Sequence, residues 1–94
     1  MHELMLTLLL GSRARRFTGK LSPKQFGQID VKTTALRSVP FPPDSKHLKG
    51  FDWYRVDVGE YRIIYNVRGN ILDVPLIGKR NDDDVYKRLK RMEG

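Results

Sequence analysis

Arg55 and Asp57 stand two residues apart, with Arg62 five residues further on, in the stretch WYRVDVGEYRIIY, residues 53–65. Side chains alternate between the two faces of a strand. Two strands paired across a Gly59-Glu60 turn put Tyr54, Val56, Val58, Tyr61, Ile63, Tyr65 and Val67 on one face. Trp53, Arg55 and Asp57 then share the other face with Arg62, Ile64 and Asn66. The hairpin reads as antiparallel, with one apolar side and one wet side. Guanidinium groups fork onto phosphate oxygens, so a pair of arginines on a wet face is a candidate phosphate-binding or catalytic surface. The same pattern also fits ordinary solvated strand charges. Asp57 pairs with these arginines or competes as a base.

The elements around the hairpin are marked by local signals. Leu4 to Leu10 reads as a buried strand, with a helix as the competing reading because Leu and Met favour helices. Gly11-Ser12 breaks that run, and Ser12 is positioned to cap a short helix over Arg13 to Lys20 with Ala14 and Phe17 on its apolar side. Ser22-Pro23-Lys24-Gln25 is a capping box with proline at the first helical position. Phe26, Ile29, Thr33 and Leu36 follow at helical spacing, and the helix should end near Ser38 because Val39 precedes Pro40. Residues 40–44 form a stiff connector. After the hairpin, Arg68-Gly69-Asn70 turns the chain into a third strand, Ile71 to Ile77. Pro75 within it requires an edge position or a bulge. Asn81 is a candidate cap for a last helix carrying Asp82, Asp83 and Asp84 in its first turn and an apolar stripe of Val85, Leu89 and Met92. Its Lys87, Arg88, Lys90 and Arg91 read as a solvated face or a polyanion contact. The expectation is one α+β domain over residues 1–94, a small antiparallel sheet covered on one face by the N-terminal helical hairpin, with a short C-terminal helix.

Composition narrows the partners. Eighteen Lys and Arg against eleven Asp and Glu give a net charge of +7, which suits polyanions or an acidic protein partner. There is no cysteine, hence no disulfide and no thiolate metal site, in keeping with a reducing cytoplasm. His2 and His47 lack metal-ligand spacing, and neither a metal nor a cofactor is expected. No apolar run is long enough to span a membrane, and Leu4 to Leu10 is too short and wrongly flanked for a signal peptide.

With this element order, the words PPDSKHLKG, YRVDVGEYRIIY and GKRNDDDVYKRLKR resemble the RelE/ParE superfamily of bacterial toxins. The ending, Gly78-Lys79-Arg80 followed by Val85-Tyr86, is more similar to the RelE branch. That resemblance implies a cytoplasmic toxin of a toxin–antitoxin pair: a ribosome-dependent, metal-independent endoribonuclease that cleaves mRNA and is held inactive by a cognate antitoxin. The ParE branch implies instead a DNA gyrase inhibitor, and a member that has lost activity would mainly bind its antitoxin. Carried over by motif, the catalytic residues are Arg62, Arg80 and Tyr86, with Arg55 and Lys79 on the substrate phosphate. The family's second basic residue on the first hairpin strand falls on Asp57, an acid with a modulating role. Cleavage by the RNA 2′-hydroxyl needs a proton acceptor, charge stabilisation at phosphorus and a proton donor. Neither histidine lies in a motif; the resemblance implies that Tyr86 takes part in the proton transfer, with Asp57 as the competing base.

Overall fold

The computed structural model describes residues 5–81 and 84–93. Its elements are β1 (Thr7–Leu10), α1 (Ser12–Thr18), α2 (Pro23–Ser38), β2 (Lys46–His47), β3 (Tyr54–Val58), β4 (Tyr61–Arg68), β5 (Ile71–Lys79) and α3 (Asp84–Glu93). The strands form one sheet in the order β1-β5-β4-β3-β2. The α+β architecture is the expected one, with β2 to β5 antiparallel. β1 makes the sheet mixed, because it runs parallel to β5 from Thr7 opposite Ile71 to Leu10 opposite Val74. Both hairpins close through two-residue loops. Gly59 and Gly69 take positive φ at the first loop position, the conformation a tight hairpin turn needs and a Cβ disfavours.

The capping box at the start of α2 is complete. The Gln25 N–H donates to the Ser22 hydroxyl at 3.3 Å, and the Ser22 N–H donates to the Gln25 carboxamide at 3.0 Å. The helix ends at Ser38, as the Val39-Pro40 pair requires. α1 differs from expectation. It begins at Ser12 with Gly11 as its N-cap and no side-chain cap, so Ser12 lies inside the helix. On α2, Ile29, Thr33 and Leu36 are buried while Phe26 stays exposed. Thr33 is tolerated in the core because its hydroxyl donates to the Asp30 carbonyl at 3.0 Å.

Pro75 sits in a bulge. On β4 the register advances from Ile64 to Asn66 while on β5 it moves from Leu76 back to Asp73, one residue more. The bulge changes which β5 residues face α1 and α2: Leu72 and Val74 before it, Ile77 after it. β1 stops at the same point, so from Leu76 onward that edge of β5 has no strand beside it among the described residues.

Two cores result. Against α1 and α2 the sheet buries Val56, Tyr61, Ile63, Tyr65, Leu72, Val74 and Ile77 with Ala14, Ile29 and Leu36. The opposite face, expected to be wet, carries a second core of Trp53, Ile64 and Leu76 with Leu48, sealed by Val85 and Leu89 of α3. Trp53 precedes β3 and is buried, with the Arg68 guanidinium carbon 4.8 Å from its ring centre. Met92, the third residue of the expected α3 stripe, is exposed. α3 begins three residues after Asn81, the expected cap, and the expected first-turn acids Asp82 and Asp83 lie outside the described residues, as does His2. No helix among the described residues is long and apolar enough to cross a membrane.

Candidate functional site

Strand register brings the hairpin charges together. Asp57 on β3 lies directly opposite Arg62 on β4, and directly paired residues share a face. Arg62 donates from Nε to Asp57 Oδ1 at 2.8 Å and from Nη2 to Oδ2 at 3.1 Å. Its Nη1 donates to the Tyr86 hydroxyl, and its guanidinium carbon lies 5.8 Å from the Tyr86 ring centre. Tyr86 reaches it because α3 packs on β5 through Val85 and Leu89. Arg55 approaches Asp57 Oδ2 at 3.6 Å, too far for a hydrogen bond and close enough for strong charge attraction.

A guanidinium has five N–H donors. Arg62 uses two on Asp57 and one on Tyr86, which among the described residues leaves one N–H on each terminal nitrogen for a phosphate. The Tyr86 oxygen accepts from Arg62, so the phenol's own proton points elsewhere and can be exchanged with a substrate. The Arg62 side chain keeps only 13% of its surface exposed against 24% for Arg55, so Arg62 is the fixed member and Arg55 the adaptable one.

The Asp57 carboxyl is held below the ordinary carboxylate range, first by its hydrogen bonds with Arg62 and then by the charges of Arg62, Arg55 and Arg80. The Arg62 guanidinium is correspondingly raised, chiefly by Asp57. A carboxylate lowered in the folded state adds stability at pH values above its unfolded pKa, about 3.9. That stability is lost as pH falls through the lower folded value. Asp57→Asn should therefore lower the melting temperature at neutral pH. The difference from the parent protein should narrow steadily in acid melts below about pH 4. A gap that stayed constant across this range would show that the pair's charge contributes nothing to stability.

The other expected residues are placed unevenly. Arg80 leaves β5 beside the β3–β4 turn. Its backbone N–H donates to the Glu60 carbonyl at 2.9 Å and its Nη1 to the Gly59 carbonyl at 3.3 Å, with its charge still felt by Asp57. Lys79 is not brought to this cluster. Its backbone pairs with Tyr61, a residue of the α1–α2 side, and its side chain lines a cleft at the open edge of β5. His47 is exposed on β2, with its ring 5.1 Å from that of Tyr54, away from Arg62. The sequence reading passed over Lys46, which β2 pairs with Arg55 and so places on the Arg55 face. The signal was the alternation of Ser45-Lys46-His47-Leu48, too short to mark a strand by itself.

No protein-family model and no curated protein matches the chain by sequence. Among solved structures, it is similar to a chain of the toxin–antitoxin complex RelBE2 from Mycobacterium tuberculosis, with a TM-score of 0.68 and 21% identity. The match covers 81% of this chain and 99% of that one. At this identity the similarity is one of architecture: the protein has the RelE-like fold.

Proposed function

We propose that the protein is the toxin of a toxin–antitoxin pair and acts as a ribosome-dependent endoribonuclease on mRNA. The observation that carries this reading is the Arg62 side chain, gripped by Asp57 on one side and hydrogen-bonded to Tyr86 on the other, with N–H donors left over. The RelE-like fold supports it.

In the reaction the 2′-oxygen attacks the adjacent phosphorus, a 2′,3′-cyclic phosphate forms and the bond to the 5′-oxygen breaks. Tyr86 relays the 2′ proton: its oxygen accepts that proton as it gives up its own. Arg62 and Arg55, with Lys46 at the margin, hold the charge that builds on the phosphorane, and Arg80 fixes the adjoining turn and adds its charge. The proton released through Tyr86 passes to solvent, and a solvent water gives one to the departing 5′-oxygen. Asp57 is a positioning residue: ionised and weakly basic, it holds the Arg62 fork at the expense of some phosphate affinity. No step calls for a metal. The cognate antitoxin is expected to present acidic and apolar side chains that cover Arg55 and Arg62 or displace α3 with Tyr86.

Programmed ribosomes incubated with the protein should yield cut mRNA whose upstream fragment ends in a 2′,3′-cyclic or 3′ phosphate. A 3′-hydroxyl end would overturn attack by the 2′-oxygen. Intact mRNA combined with inhibited gyrase supercoiling would replace the proposal with gyrase poisoning. Asp57→Asn should leave cleavage detectable, and Asp57→Lys should raise RNA affinity or rate. Should Asp57→Asn abolish cleavage in a folded, ribosome-binding protein, Asp57 rather than Tyr86 is the general base.

A further inference from the structure

Away from the Arg62 cluster, a cleft of about 500 Å³ is lined by Arg13, Arg16, Phe17, Lys20, Arg88 and Arg91. Five of these six side chains are cationic, and they come from opposite ends of the chain. α1 and the turn after it supply three; α3 supplies two. No acidic side chain among the described residues lines it. A second cleft of about 140 Å³ adjoins it, sharing Phe17 and Arg88, and is walled by residues 76–79 of β5 together with Val85. This is the strand edge left open where β1 ends, and Lys79 stands on it. Val85 precedes Tyr86, so the basic track runs from the outer cleft to the helix that carries the candidate proton-transfer group.

We propose that this track is a second binding site for the phosphodiester backbone of single-stranded RNA, separate from the Arg62 cluster. Cations gathered along a groove with no acid among its described lining residues concentrate a polyanion and make its binding strongly salt-dependent. A protein segment would need apolar pockets for anchoring side chains; the outer cleft offers Phe17 alone, and the adjoining one, walled by Leu76, Ile77 and Val85, encloses only about 140 Å³. The chain's +7 charge is thus organised, with one phosphate held by the Arg62 cluster and neighbouring phosphates by α1 and α3. The inference rests on the protein acting on RNA, and its test reads binding rather than cleavage.

The test is fluorescence anisotropy with a labelled single-stranded RNA of about 20 nucleotides over a series of salt concentrations. The variant is Arg13→Ala, Arg16→Ala and Lys20→Ala together. Arg13 and Arg16 lie on an exposed helix face, where alanine preserves helicity. The control removes the same charge elsewhere, at Lys24, Lys32 and Lys49. The α1 variant should bind about tenfold more weakly at moderate salt. Its log–log salt slope should fall by about 2, at about 0.7 per lost phosphate contact. The control should change far less. RNA should also shield Arg13 and Arg16 of the parent protein from an arginine-modifying reagent, a readout that needs no variant. An unchanged slope, an equal loss in the control, absent shielding or no RNA binding by the parent would each overturn the site. Loss of affinity for an acidic peptide with RNA binding intact would assign the cleft to a protein partner. Intact RNA binding without any cleavage on ribosomes would refute the nuclease reading and leave this site standing.

Discussion

Arg62→Ala should lower the single-turnover rate of mRNA cleavage on programmed ribosomes by about 10²–10³. Three separate losses combine in that one change. The donors aimed at a developing phosphorane disappear, and a preorganised donor of this kind supplies a large share of transition-state stabilisation. The Tyr86 hydroxyl loses the contact that fixes its position. Asp57 loses its bidentate partner and among the described residues keeps Arg55, 3.6 Å away, and the charge of Arg80. Its negative charge, no longer neutralised, then faces the incoming phosphate. Ribosome binding should change little, so the effect belongs in the rate rather than in affinity. Arg62→Lys separates charge from geometry. A lysine ammonium restores the positive charge but cannot span both Asp57 oxygens and reach Tyr86 at once, so rescue should be slight. A wild-type rate in Arg62→Ala would remove Arg62 from the site, and full rescue by lysine would reduce its role to a point charge.

The sequence declared whatever was written in adjacent residues. The capping box of α2, its stop before Pro40 and both glycine turns depend on a handful of neighbours, and all stand where those neighbours put them. Pairings between distant segments carry no such mark. Nothing in Thr7 to Leu10 states that it lies parallel to Ile71 to Val74, and β2 is two residues long. The second core was hidden by averaging. Arg55, Asp57 and Arg62 made their face look wet, yet the run Ile63-Ile64-Tyr65, fully buried, is the mark of a strand covered on both sides. Motif resemblance named Lys79 and Arg80 together; Lys79 ends β5 opposite Tyr61 on the α1–α2 side, while Arg80 leaves the strand and binds the β3–β4 turn, where Asp57 feels its charge. Tyr86 was out of reach of residue-level reasoning, because its position depends on how Val85 and Leu89 dock on a core that the sequence did not disclose.

That docking leads to the second large effect. Leu89 is completely buried and, with Val85, attaches α3 to Trp53, Ile64, Leu76 and Leu48. Leu89→Ala should cost about 2–5 kcal/mol, the usual penalty for removing a buried leucine side chain with incomplete collapse of the cavity. The loss falls on a helix at the end of the chain whose principal packing partner is β5, while β3, β4 and β5 are held by a separate core on their other face. α3 should therefore detach as a unit before the sheet unfolds. Native-state hydrogen exchange should show the amides of residues 85–92 losing protection while those of β4 and β5 keep theirs. Since α3 carries Tyr86 to Arg62, cleavage should fall at least as far as in Tyr86→Phe, with the Asp57–Arg62 pair still formed. Leu89→Met, which nearly conserves volume, should retain both protection and activity. If exchange rose uniformly over the whole sheet in Leu89→Ala, the two cores would be one cooperative unit. If α3 lost protection while cleavage stayed at the parent rate, Tyr86 would have no part in the chemistry.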